Sequence, residues 1–541
     1  MSQENLTPPQ GPNAKESAPD AIRAGIANLA TGLEVVEAEG RQLPQINLDW
    51  PFKQLGRELG QLARGTNFFR RGQDFVTVDP RDGELRGMTN ERFCSYVEEL
   101  CWPFKIKGRE FAPSFTRFPR ELAGQILASD DFRAHCRELH TVHEAALPAW
   151  RGTGESRTVD LSPTGYDSET KVFSVGSLDY ERNLDPGEAQ EWLLETCGAF
   201  PWAEAVEHPK HVLQCRSFAA HVAGMLAPYC SHLLGDHARR PMFGYLANQA
   251  GSGKTRLAQM ALAPVYGEPC ATNADQRPDE LEKIISTAAL DQRPYLFLDD
   301  CGNFKSRALN MLLTSGRIST RIMGQSKMPD VPNRMQLFLT GNAVEIGHEL
   351  LRRSLLVDLF WPGDVLQRTF PKTITEEWLY SRETRSRFLA VLWAFVRHWR
   401  DHHNMKRFDE AKRPSFESFA EIVGSIVLGS DFGNPFGHRE ALLGGDEEGE
   451  ALKGLLATIA GEVADPESSP EYRPKDIAEK AEALGLLDMI VPYAKDQHKA
   501  LGHRLKLLRG RQIRDTQGRL FEFGRRAGNK GAIYPLVFLK P

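Results

Sequence analysis

Apolar and polar positions along the chain fall into blocks of different period. From about 60 to 90, the aromatic runs Asn67-Phe68-Phe69-Arg70 and Phe75-Val76-Thr77-Val78 are separated by Gly72-Gln73-Asp74 and followed by Pro80-Arg81-Asp82-Gly83. This alternation of short apolar runs and turn residues predicts a β-meander. Residues 118–148 and 187–232 carry a helical period, and Gly165-Tyr166-Asp167 with Thr170, Val172 and Phe173 predicts a turn and a strand between them. From 243 to about 359, short apolar strands alternate with helices, the pattern of a parallel sheet with crossover helices. Residues 374–430 are again helical. Past two Gly-rich connectors, 429–435 and 444–448, the pattern predicts a helix opening at Arg473-Pro474, a second helix over 496–508, and two strands, 519–523 and 532–538, joined by a basic loop.

These blocks divide the chain into a linker-like N-terminus (1–59), an α+β and helical region (60–235), an α/β core (236–365), a helical segment with its connector (366–445) and a C-terminal domain (446–541). A length of 541 residues agrees with several folded units rather than one. Composition adds that 41% hydrophobic and 26% charged residues suit packed cores, excluding a collagen-like or wholly disordered chain. The eight cysteines form no C-x-x-C pair, so neither a zinc ribbon nor a disulfide framework is expected. With no apolar run near 18 residues and a polar, Pro-rich beginning, the expectation is a cytoplasmic protein without membrane contact.

The strongest chemical signal is an apolar strand, Met242 to Ala247, running into Asn248-Gln249-Ala250-Gly251-Ser252-Gly253-Lys254-Thr255 and then a helical pattern. Glycines at a strand-to-helix turn let backbone N–H groups wrap a phosphate at a helix N-terminus. Lys254 would reach the β- and γ-phosphates of ATP, and the Thr255 hydroxyl would hold Mg²⁺. Asn248 replaces the first glycine of the P-loop pattern, and Asn tolerates positive φ better than most residues. Beyond it, the apolar strand Tyr295-Leu296-Phe297-Leu298 delivers Asp299, placed to hold Mg²⁺, and Asp300, placed to polarise the attacking water. A third apolar strand ends in Thr340-Gly341-Asn342, where the amide could orient that water. Arg352 and Arg353 follow, and either could serve as an arginine finger.

The order P-loop, Asp-Asp strand, strand ending in Thr-x-Asn, then paired arginines resembles an AAA+ ATPase and, more narrowly, the superfamily 3 helicases of viruses, phages and mobile elements. The resemblance implies a hexameric ring, an arginine finger acting in trans, and a β-hairpin whose basic tip grips single-stranded DNA in the channel. Here that hairpin would span 315–334, with Arg321 and Lys327 as its DNA contacts. The stretch 67–72 and the later Gly165-Tyr166-Asp167 resemble the region preceding the ATPase in poxvirus- and phage-type primase-helicases. A primase or polymerase is a candidate partner, but no carboxylate cluster suggests priming by this chain.

Charge distribution points to DNA independently. Net charge is −5, yet residues 499–541 hold eleven Lys or Arg against two acids, a local +9 that leaves −14 for the rest. Two helices followed by a basic hairpin make a winged helix-turn-helix pattern, with Lys499, Arg504, Lys506, Arg525, Arg526 and Lys530 as candidate contacts to duplex DNA. His135, Cys136, His140 and His143 lie close together on a predicted helix. They lack a second pair of ligands, so packing is expected rather than zinc. The fold class expected is thus multidomain: an α+β N-terminal region, an AAA+ core, a helical segment and a winged helix. The expected function is an ATP-driven DNA helicase in replication initiation of a phage, plasmid or mobile element. The alternative is an ATP-gated DNA-binding switch that hydrolyses ATP without unwinding; a packaging motor is disfavoured because no nuclease-like acidic cluster follows.

Overall fold

The structure, a computed structural model, describes residues 33–38, 41–107, 112–205, 209–273, 278–301, 307–319, 330–342, 348–361, 372–437, 447–491, 497–507, 512–523, 526–528 and 531–539. The chain forms two compact units, 1–440 and 441–541.

In the first unit, five strands build a wholly parallel sheet: β1 (Met242–Ala247), β2 (Ala271–Asn273), β3 (Tyr295–Cys301), β4 (Gln336–Asn342) and β5 (Ser354–Leu359), in the spatial order β2-β3-β4-β1-β5. Alternate side chains bury against two different layers, which is why the strands read as continuous apolar runs. Phe243, Tyr245, Phe338 and Val357 join the core built with α1 (Arg216–Tyr229), α2 (Lys254–Tyr266) and, later in the chain, a 20-residue helix, Arg382–Asp401. Leu246, Leu296, Leu298, Leu337 and Leu339 face the other way, against α3 (Pro278–Leu290) and α4 (Arg307–Thr314).

A buried ion network fixes the outer strand. Arg216, at the start of α1, reaches Asp358 Oδ2 of β5 at 2.5 Å and Glu204 Oε1 at 2.9 Å, and donates to the Leu356 carbonyl at 2.5 Å. With Ser217 Oγ, which accepts at 3.0 Å, these acceptors hold one desolvated guanidinium, so the pairing sets the position of β5 against α1.

Ahead of the sheet lies an α+β region. Phe68–Arg71, Asp74–Val78 and Leu85–Gly87 form the expected antiparallel meander. Two expectations change. The stretch assigned to a linker contains the strands Val35–Ala38 and Arg41–Asn47 and, from Phe52, a helix whose Leu55, Leu59 and Leu62 enter a core with Phe68 and Phe93. The helical period of 118–148 breaks after His135: Arg120–Leu127 and Asp130–His135 are helices, but Thr141–His143 is a strand pairing with Val172–Ser174. His135, Cys136, His140 and His143 therefore share no helix, and no cluster of metal-ligating residues occurs among the described residues.

The second unit contains α5 (Glu447–Gly461), α6 (Pro474–Ala483), the short helix Leu487–Ile490 and α7 (Gln497–Leu507), then the antiparallel strands β6 (Gln512–Arg514), β7 (Leu520–Phe523) and β8 (Gly531–Phe538). Glu471–Tyr472 and Arg526–Gly528 also pair with β8. Ile477, Ala481, Leu501, Leu505, Phe521, Phe523, Tyr534 and Leu536 close one core with Leu455 and Ile459 of α5. The sequence reading missed α5, because its acidic, glycine-rich start resembles a connector. No helix among the described residues is long and apolar enough to cross a membrane.

Candidate functional site

All five strands point the same way, so their carboxyl ends share one edge. At that edge Ala247 lies beside Asn342 of β4 and Leu359 of β5. The loop after β1 contains Gly251 (φ 80°) and Gly253 (φ 97°), and Gly253 caps α2. A β-carbon on Gly253 would sit 2.6 Å from the Phe200 ring, so conformation and space both require glycine there. The first turn of α2 offers N–H groups without intrahelical acceptors and the positive end of the helix dipole, which together favour a phosphate.

Lys254 and Thr255 lead α2. The Lys254 side chain is buried, with Nζ 3.9 Å from Asp300 Oδ1. Thr255 Oγ1 donates to Asp299 Oδ1 at 3.1 Å, and Thr340 Oγ1 donates to the same oxygen. Thr340 also accepts from the Asp300 N–H at 3.0 Å. Both aspartates sit where the β3–β4 pairing slips register between Leu298 and Cys301, and Asp300 takes a left-handed φ of 52°. Such a bulge splits the two carboxylates: Asp299 turns in toward Thr255, while the Asp300 side chain stays 79% exposed. Asn342 Oδ1 is buried without a hydrogen-bond partner among the described residues.

These groups suit Mg²⁺ and a nucleotide. Mg²⁺ takes hard oxygen ligands and is held by few protein groups. Thr255 and Asp299 already meet at 3.1 Å, and the unpartnered Asn342 oxygen at the next strand tip has spare capacity for a polar ligand.

The arginines lie elsewhere. Arg352 and Arg353 precede β5, at the amino edge of the sheet, where the Arg353 carbonyl accepts from Met242 N–H at 3.0 Å. Six residues of β5 separate them from the carboxyl edge, a span of about 20 Å. Arg353 Nη1 donates to Asn310 Oδ1 of α4 at 3.3 Å, and Arg352 is exposed. Neither belongs to the Lys254 cluster of its own chain.

Asn248 departs from expectation. It does not adopt positive φ; its amide makes a two-way clip with Trp361, Nδ2 donating to the Trp361 carbonyl at 2.8 Å and Oδ1 accepting from its N–H at 3.1 Å. Gln249 Nε2 donates to the same carbonyl at 2.8 Å. A side-chain amide here replaces a glycine's freedom with an anchor to the chain leaving β5.

For the DNA-contact residues, the expected hairpin has its base in Arg317–Ser319 paired with Asp330–Pro332, closed by an Arg317–Asp330 ion pair of 2.6 Å, while Arg321 and Lys327 lie outside the described residues. Lys499, Arg504 and Lys506 fall on α7, and Arg526 in the strand Arg526–Gly528; Arg525 and Lys530 lie outside the described residues.

No family model matches the chain, and no curated protein does. Among solved structures, the A-form apo structure of the NrS-1 C-terminal region aligns at 11% identity and TM-score 0.34, covering 79% of this chain and 92% of its own. A second structure of that region aligns at 10% identity and TM-score 0.38, covering 91% and 100%. The X-ray structure of JCV helicase aligns at 16% identity and TM-score 0.22, covering 46% of this chain and 66% of its own. Function is therefore read from the chain's own geometry.

Thr340 is the site residue that sequence reasoning quoted without giving it a role. Its hydroxyl holds Asp299 and caps the strained Asp300 peptide, and the side chain is fully buried. Thr340→Val keeps the shape and removes both bonds. It is expected to lower Mg²⁺ affinity at this edge by about 10- to 100-fold, the usual cost of losing a group that orients a metal ligand. A Mg²⁺ titration at saturating ATP measures this; an unchanged midpoint would remove Thr340 from the site.

Proposed function

We propose that the chain is an ATP-dependent helicase acting on DNA, with ATP and Mg²⁺ held at the carboxyl edge of the five-stranded sheet. The observation that supports this most is the convergence of Lys254, Thr255, Asp299 and Asn342 from three adjacent strand ends around a glycine-capped helix. In this reading the Gly251–Gly253 backbone is a P-loop and cradles phosphate. Lys254 would neutralise the transferring phosphoryl group, and Thr255 and Asp299 would hold a Mg²⁺ ion, which when bound would supply further positive charge there. Asp300, exposed beside Lys254, accepts a hydrogen bond from the attacking water, and Asn342 orients it.

The same reading makes the protein an AAA+ motor of superfamily 3 type, assembled as a hexamer in which Arg352 or Arg353 serves a neighbour's nucleotide. The separation of those arginines from the Lys254 cluster supports action in trans. The second unit is proposed as a winged helix, with α7 in the major groove and the basic hairpin on phosphates. Arg321 and Lys327 are proposed to grip single-stranded DNA, and replication initiation on a mobile element is the proposed setting.

Strand displacement tests the motor. The wild-type chain with ATP and Mg²⁺ is expected to release the strand of a forked duplex, and Lys327→Ala to hydrolyse ATP yet release none. Steady hydrolysis without displacement by the wild type would instead favour an ATP-gated DNA-binding switch.

A further inference from the structure

The amino edge of the sheet, remote from the glycine loop, borders a cavity of about 460 Å³. It lies within the first unit, between the residues entering β1, β3 and β4 and the strand Thr141–His143 with its neighbours. Its volume is that of a small-molecule site.

Three features of its lining are unbalanced. Arg240 is 6% exposed and has no ion-pair partner among the described residues; its guanidinium donates only to the carbonyls of Ala238, at 3.2 Å, and Asn333, at 3.5 Å. Lys171, Arg293 and Arg334, which also line the cavity, each have a carboxylate: Glu138 at 2.7 Å, Asp291 at 3.6 Å and Asp236 at 3.0 Å; Arg157 is exposed to solvent and lies over the Trp150 ring. Asp236, whose charge does reach Arg240, is thus already engaged. A buried charge without a counter-charge is strongly unfavourable. Burial accordingly pushes the Arg240 pKa down to about 10.

Two polar atoms nearby are also unmatched. Gln336 is 2% exposed; its Nε2 donates to the Pro241 carbonyl at 2.5 Å, but Oε1 has no partner among the described residues. His143 is 3% exposed; Nε2 lies 3.2 Å from His232 Nε2, and Nδ1 has no partner among the described residues. Burial pushes the His143 pKa down to about 4, so it is a neutral ring at physiological pH and adds no cation. The lining therefore demands one anion, for Arg240, and at least one hydrogen-bond donor, for the Gln336 oxygen.

We propose that this cavity is a second ligand site, which takes a small hydroxylated oxyanion, its phosphate or carboxylate on Arg240 and a hydroxyl donating to Gln336 Oε1. It stands on the cavity and its unmatched groups and is independent of the nucleotide reading. A sugar phosphate and a hydroxycarboxylate present the same chemistry, so the test separates them.

Ribose 5-phosphate and citrate are titrated calorimetrically into full-length Lys254→Ala protein, in which phosphate capture at the glycine loop is weakened by loss of the ammonium. Saturable one-to-one binding by either probe is expected, and the probe that binds names the source. Arg240→Met in the same background is expected to weaken binding at least tenfold, and Gln336→Leu to weaken it less. Because a buried arginine can be needed for folding, a second measurement uses no new variant: phenylglyoxal labelling of Arg240, read by peptide mass spectrometry, should slow at least tenfold with the bound probe. Failure of both probes to bind saturably would overturn the proposal, as would binding that neither protects Arg240 nor responds to its replacement.

Discussion

Lys254→Ala is expected to lower ATP turnover by at least about 100-fold, the loss seen when one preorganised charge-stabilising group leaves a water-poor site. The argument is geometric. Lys254 is buried at the first position of α2, and its one charged contact among the described residues is Asp300 at 3.9 Å, too long for a close salt bridge to compete for its ammonium. Alanine is the best helix former, so α2 should persist. The DNA binding proposed for the second unit should be unchanged, because that unit has its own core. Hydrolysis at saturating Mg²⁺ and fluorescence anisotropy on a labelled duplex measure the two halves, and retained turnover would defeat the nucleotide assignment.

The glycine loop was legible in the sequence because its chemistry is written in backbone freedom: only glycine accepts φ near 80–97° cheaply, and Gly-Lys-Thr at a strand end leaves few alternatives. The two aspartates were legible as the end of an apolar strand. Thr340 was not, since its importance lies in a hydrogen bond to a residue 41 positions away on a neighbouring strand. The same holds for Asn248, where a conformational argument failed because the partner, Trp361, is 113 positions distant. The fold errors were of a different kind. Around His140 and His143, short helices passing into short strands blur any single period, and only the pairing with Val172–Ser174 decides the state.

The second large effect concerns the arginines. A chain carrying both Arg352→Ala and Arg353→Ala is expected to lose about 10³-fold or more in turnover, the contribution of an arginine finger. Mixed with Lys254→Ala chains, which are also impaired alone, it should regain activity. In a random one-to-one ring about a quarter of interfaces would join an intact lysine to a neighbour's intact arginines, so about a quarter of wild-type turnover is expected. Light scattering with ATP and single-stranded DNA checks that the chains assemble. A co-assembled mixture that stays inactive, or a fully active monomer, would rule out action in trans.

Strand β5 acquires a mechanical meaning from this arrangement. Its amino end follows Arg352 and Arg353, its carboxyl end is clipped through Trp361 to Asn248 and Gln249, and Arg216 pins its middle. A strand so fastened would act as a rod rather than a tether. In a ring, one end would press on a neighbour's phosphates while the other holds the subunit's own loop. Displacement at either end would reach the other with little slack, so adjacent sites would fire in order and not at random.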